Sequence, residues 1–110
     1  MSDTPIQPAA FYILFALATG AKHGYAIMQE ARSLSDNRFQ MGPATLYTTI
    51  QRLVESRWIE SARGPEDGDP RRRYYRITKQ GKTALHREMD RMEAIVQKSR
   101  ELRLRPTEAG

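Results

Sequence analysis

The chain has 110 residues, no cysteine and a formal net charge of +5, with a mean hydropathy of −0.69. That length makes one domain with a modest core, and the missing thiols exclude a disulfide framework and cysteine-ligated zinc and fit a reducing, cytoplasmic setting. The longest apolar run, residues 9–18, is about half of the roughly 20 residues a bilayer span needs and has no basic leader or cleavage site around it, so no membrane partner is expected. Residues 1–56 balance four basic against four acidic groups, which puts the whole basic excess further along the chain. A polyanion is a reasonable partner for it, although solubility alone accommodates a charge of this size.

The first predicted element is a helix from Pro8, whose ring suits a first turn. Phe11, Leu14, Phe15, Leu17 and Ala18 recur at helical spacing until residues 19–24, "TGAKHG", break the pattern. A second helix from Gly24 puts Ile27, Met28, Ala31 and Leu34 on one face, and a third from Pro43 carries Leu46, Ile50, Leu53 and Val54 at i, i+4, i+7 and i+8. The period then falls to two: residues 58–63, "WIESAR", and 72–78, "RRYYRIT", read as strands joined by the turn-rich "GPEDGDP". From Lys79 to Leu104 runs a long amphipathic segment with Leu85, Met89, Met92, Ile95, Val96, Ser99 and Leu102 on or near one stripe. The expected fold is mainly α with a small β-hairpin. A winged helix-turn-helix occupies residues 8–80, a C-terminal helix residues 81–104, and flexible tails residues 1–7 and 105–110.

Three stretches carry a resemblance: residues 11–30, "FYILFALATGAKHGYAIMQE"; residues 41–60, "MGPATLYTTIQRLVESRWIE"; and residues 71–85, "RRRYYRITKQGKTAL". In this order and spacing the chain resembles the PadR family of bacterial transcriptional regulators, in its short branch with a single C-terminal helix. "HGY", "TLY" followed by "RL", and "RRYYRIT" with Gly81 downstream are the specific parts. The resemblance implies a dimeric repressor that binds double-stranded DNA and whose fourth and first helices form the dimer interface. Two positions depart from the family pattern. Arg57 stands where glycine commonly caps the third helix in a left-handed conformation, and Ala44 replaces another glycine.

On a helical wheel Ile50, Leu53, Val54 and Arg57 fall within about 80° of Leu46 as a core face. Thr45, Thr48, Gln51, Arg52 and Glu55 lie opposite, with Tyr47 on the border. By themselves these residues describe the solvated side of any amphipathic helix. In a winged helix they form the face that enters a major groove, where Thr and Gln meet base edges or thymine methyls and Arg52 meets a phosphate or a guanine. Lys22 and His23, at the start of the second helix, are placed to hold a phosphate. On the second strand, alternation turns Arg73, Tyr75 and Ile77 inward, with Ile77 against Ile59, and leaves Arg72, Tyr74 and Arg76 outward. Arg71, Arg72 and Tyr74 are therefore the expected wing contacts, while Glu66, Asp67 and Asp69 keep the wing's tip away from DNA. The bland alternative is an edge strand kept soluble by charge.

The expected dimer interface comprises Leu85, Met89, Met92, Ile95, Val96 and Leu102, because the stripe is too long for a three-helix domain to cover, together with Phe11 and Phe15 of the first helix, which the resemblance implies. Met89 and Met92 suit an adaptable pocket for a small hydrophobic or aromatic effector, but plain dimer core explains them as well. No cofactor or metal is expected, since His23 and His86 stand on different elements with no further ligands beside them. Catalysis is excluded by the lack of a cysteine nucleophile, paired histidines or a glycine-rich phosphate loop. The competing function is a winged-helix protein-interaction module whose basic wing docks an acidic partner.

Overall fold

The computed structural model describes residues 6–104. The tail expected at 105–110, and residues 1–5 of the other, lie outside the described residues. In chain order the elements are α1 (Pro8–Leu17), β1 (Lys22–His23), α2 (Gly24–Leu34), α3 (Pro43–Glu55), β2 (Ile59–Ala62), β3 (Tyr74–Ile77) and α4 (Lys79–Glu101). Both α1 and α3 open on a proline, whose fixed φ and missing N–H cost nothing in a first turn. Ile6 and Gln7 are not a loose tail. The Ile6 N–H donates to a Glu88 carboxylate oxygen at 3.3 Å, and its side chain rests on the core.

Helix α1 is the centre of the domain, packing against α2, α3, α4 and β3. Its Ile13, Leu14 and Leu17 form one cluster with Ile27 of α2, Leu46 and Ile50 of α3, Ile59 of β2 and Leu85 of α4. Burial of such side chains at about 1.5–3 kcal/mol each is what holds three short helices together. The wheel overstated the core face of α3 at one edge. Val54 is 39% exposed, and Arg57 has left the helix, which ends at Glu55.

Three helices end in one device. After α3 the Trp58 N–H reaches Leu53 O and the Arg57 N–H reaches Val54 O, both at 3.0 Å, with Arg57 at φ +64°. This is a Schellman cap. The same pair of bonds closes α2 around Asp36 at φ +56° and α4 around Arg103 at φ +57°. None of the three left-handed residues is glycine, and each therefore stores local strain. The cap after Glu101 turns residues 102–104, expected as helix, out of α4.

The hairpin is the core of a three-stranded antiparallel sheet in the order β1-β3-β2. Ile59 faces Ile77 as the alternation requires, and β1 adds Lys22 opposite Tyr75 and His23 opposite Tyr74. Two residues are too few for a period of two to register in a sequence, so β1 was expected as helix lead-in. The turn from β3 into α4 is fixed by Thr78, whose hydroxyl donates to Arg57 O at 2.6 Å and accepts from the Gly81 N–H at 3.0 Å. Gly81 lies so close beneath the Trp58 carbonyl that a Cβ there would overlap it.

Beyond Met89, α4 no longer packs on the core cluster. Met92 and Ile95 are 41% and 65% exposed on it, and Leu102, just past its end, is 59% exposed. Leu85 is a correction to the expected interface: at 2% exposure it belongs to this protomer's own core, because the first two turns of α4 still pack on α1 and β3.

Candidate nucleic-acid interface

Thr45, Tyr47, Thr48, Gln51 and Arg52 are all exposed on α3, opposite Leu46, Ile50 and Leu53. Their exposure follows from packing only one stripe of the helix against α1. The Thr49 hydroxyl donates to Thr45 O at 2.7 Å and is thereby withdrawn from other partners. Arg52 lies at the flank of this face, bordering a hollow of about 720 Å³ between α1, α3 and α4 whose walls include Ile6, Leu53, Trp58, Ala84 and Arg87. Tyr47 leans over the start of α2. Its hydroxyl stands where a Gly24 Cβ would meet it at 2.5 Å, so glycine at 24 lets α3 approach α2.

The expected phosphate cradle at the start of α2 divides into two roles. Lys22 donates its ammonium to Ala16 O at 2.6 Å and Thr19 Oγ1 at 2.9 Å, closing the carbonyl end of α1. His23 is the N-cap of α2, its Nδ1 accepting from the Ala26 N–H at 3.3 Å. Its Nε2 stands 2.9 Å from Arg72 Nη1, and its ring meets the Tyr74 ring edge-on. Pairing of β1 with β3 sets His23 beside Tyr74, and Arg72, two residues back along the wing, reaches over the imidazole. Desolvation, and secondarily the Arg72 charge, hold the His23 pKa below its ordinary value.

The wing differs from expectation at Arg73. It is exposed, because β3 begins only at Tyr74 and alternation does not extend back to it. Tyr75 does turn inward and is 8% exposed. Arg71 is held by the acidic loop: its backbone N–H and Nε reach Asp69 Oδ1 at 2.9 and 3.2 Å, and Nη2 reaches Oδ2 at 3.3 Å. These bonds, the backbone one first, keep the Asp69 carboxyl below the usual aspartate range. Arg76 is paired across the strands with Glu60 at 2.7 Å. His23, Gly24, Tyr47 and Arg71 to Arg73 converge on an open hollow of about 500 Å³. The sequence did not single out Tyr25, 59% exposed at the same rim, although it ends the "HGY" motif.

Three helices followed by a hairpin, with an exposed polar face on the third helix and a basic wing beside it, are the arrangement of a winged helix-turn-helix. Residues 13–87 match the model of the transcriptional regulator PadR-like family, and the chain belongs to that family, which comprises regulators rather than enzymes. It is 42% identical over 64 residues to "Uncharacterized protein X" of Lysinibacillus sphaericus, a match covering 58% of this chain and 59% of that relative's length. A transcriptional regulator from Clostridium thermocellum is similar with TM-score 0.70 and 29% identity, over 84% of this chain and 87% of the other. Bacillus subtilis PadR in complex with operator DNA shares the fold with TM-score 0.63 and 20% identity, over 73% of this chain and 45% of that one.

Proposed function

We propose that the protein is a dimeric repressor that binds an inverted-repeat operator, with α3 in the major groove and the wing on the adjacent backbone. The observation that carries this reading is that two surfaces adjoin at Tyr47 of α3: the exposed Thr45, Thr48, Gln51 and Arg52 of the same helix, and the hollow where Arg72 and Arg73 meet His23 and Tyr47. Hydrogen-bonding side chains on one surface suit base edges, and guanidinium groups on the other suit phosphates. Residues 8–80 supply the DNA-binding domain and residues 81–104 the dimerisation segment, helical as far as Glu101. Phe11, Phe15, Met89, Met92, Ile95, Val96 and Leu102 are the surface a second copy covers, and the first four of them edge a groove of about 620 Å³ beside Asp90 and Glu93. A C2 dimer built on α4 presents two α3 faces, which is why the operator is palindromic.

Release by a small hydrophobic or aromatic effector completes the proposal. The hollow walled by Leu53, Trp58 and Ala84 borders Arg52, so a ligand there reaches the recognition face. The test is fluorescence anisotropy with duplexes from the region upstream of the protein's own coding sequence, against random duplex of equal length. Specific binding at least about a thousandfold tighter is expected. Equal, weak binding to every duplex overturns the reading in favour of a protein-docking module.

A further inference from the structure

His23 makes two contacts that its chemistry does not allow together. The Ala26 N–H at 3.3 Å needs a lone pair on Nδ1, and Arg72 Nη1 at 2.9 Å needs one on Nε2. A neutral imidazole has a single lone pair of this kind, and an imidazolium has none. With Nδ1 capping α2, the proton sits on Nε2 and points at a guanidinium that is also only a donor. With Nε2 accepting from Arg72, the Nδ1 proton points at the first turn of α2 instead. In the free protein one contact must give way.

Protonation does not relieve the conflict. Arg72 reaches the ring from the wing and Tyr74 from β3, Arg71, Arg73 and Tyr47 line the same hollow, Lys22 precedes His23 on β1, and no residue lining the hollow is acidic. The positive end of α2 lies against Nδ1. All of this favours the neutral ring, in line with the downward shift of its pKa. What both donors lack is an acceptor, and an oxyanion in the hollow supplies one.

We propose that His23 and Arg72 form a paired phosphate site in which His23 stays neutral, Nδ1 capping α2 while Nε2–H and the Arg72 guanidinium donate to the same backbone phosphate of DNA. Binding replaces two donors facing each other with two donors sharing one anion, and it fixes the Nε2–H tautomer. The inference rests on the DNA-binding reading and adds to it a division of labour. Arg72 contributes charge, and His23 contributes a neutral, directed hydrogen bond.

The test uses the full-length dimer. Serine retains an oxygen that caps α2 but loses the outward donor, so His23→Ser should keep its thermal midpoint and lose roughly tenfold in affinity for operator and random duplex alike. Its slope of log affinity against log salt should match the wild type, whereas Arg72→Ala should flatten the slope by about 0.9 for each phosphate released. His23→Asn, with both an acceptor and a donor, should recover part of the loss. Imidazole ¹⁵N resonances should report mixed tautomers in the free protein and one Nε2–H tautomer on DNA. Wild-type affinity in His23→Ser, or an imidazolium signature in the complex, overturns the pair. If the wild type binds no duplex, the DNA reading fails separately. Titration with inorganic phosphate, followed at the same resonances, then decides the pair: a shift of His23 to the Nε2–H form supports it, and an unmoved His23 sinks it.

Discussion

Arg57→Gly should stabilise the protein. Arg57 occupies the left-handed position of the Schellman cap after α3 at φ +64°, where an L-residue pays about 1–2 kcal/mol that glycine does not. Glycine returns part of the difference, because its unfolded chain is freer by about 0.5–1 kcal/mol. The arginine side chain is exposed, and the bond from Thr78 is accepted by its backbone carbonyl, so truncation removes no packing and no cap. The net expectation is a gain of about 0.5–1 kcal/mol, equivalent to several degrees in thermal midpoint for a domain of this size. Urea unfolding at fixed protein concentration measures it, since a dimer's stability depends on concentration. Arg57→Ala is the control: it removes the same side chain, keeps the strain and should leave stability nearly unchanged. If the glycine and alanine variants unfold at the same urea concentration, the left-handed strain is not what limits this corner.

Three further outcomes follow from named contacts. Gly81→Ala should lose about 2 kcal/mol or more in urea unfolding, because its Cβ would overlap the Trp58 carbonyl backbone and come within 2.8 Å of Ile77 Cγ1. Ile95→Glu with Leu102→Glu should convert the proposed dimer to a folded monomer in sedimentation, since both side chains stand clear of the chain's own core. Asp69→Asn should raise DNA affinity at low salt by releasing Arg71. Acidification through the neutral range should not imitate it, because a carboxyl with a depressed pKa stays ionised until the pH falls below the ordinary aspartate value.

The sequence was most legible where a regular period met a fixed punctuation mark. Pro8 and Pro43 marked helix starts to the residue, and Ile59 opposite Ile77 followed from alternation between two β-rich runs. It was least legible where tertiary pairing decides conformation. Lys22 and His23 become a strand only because β3 is there to pair with them, and Lys22 is drawn to carbonyls of α1 that no local pattern connects to it. Arg73 shows the limit of extrapolating a period. Alternation has meaning only while the chain is in a ladder, and the ladder stops one residue short of it. Leu85 was misassigned because a stripe shows which residues face the same way and not where along the helix one neighbour ends and the next begins.

The formal charge of +5 overstates what this surface can offer a polyanion. Several basic groups near the candidate interface already have partners: Lys22 holds the carbonyl end of α1, Arg71 holds Asp69, and Arg76 holds Glu60. Arg72 and Arg73 form no ion pair among the described residues, and both stand at the hollow shared with α2 and α3. The exposed pairs are weak individually, at about 0–1 kcal/mol, so a phosphate can compete for Arg71 or Arg76. Each exchange releases a carboxylate against the same DNA backbone, however, and that repulsion offsets the gain. The wing is therefore built to favour contact at its base, where unpaired guanidinium groups adjoin His23, over contact at its acidic tip. On the proposed DNA-binding reading, a wing so arranged contributes position more than bulk attraction and leaves discrimination to the polar face of α3.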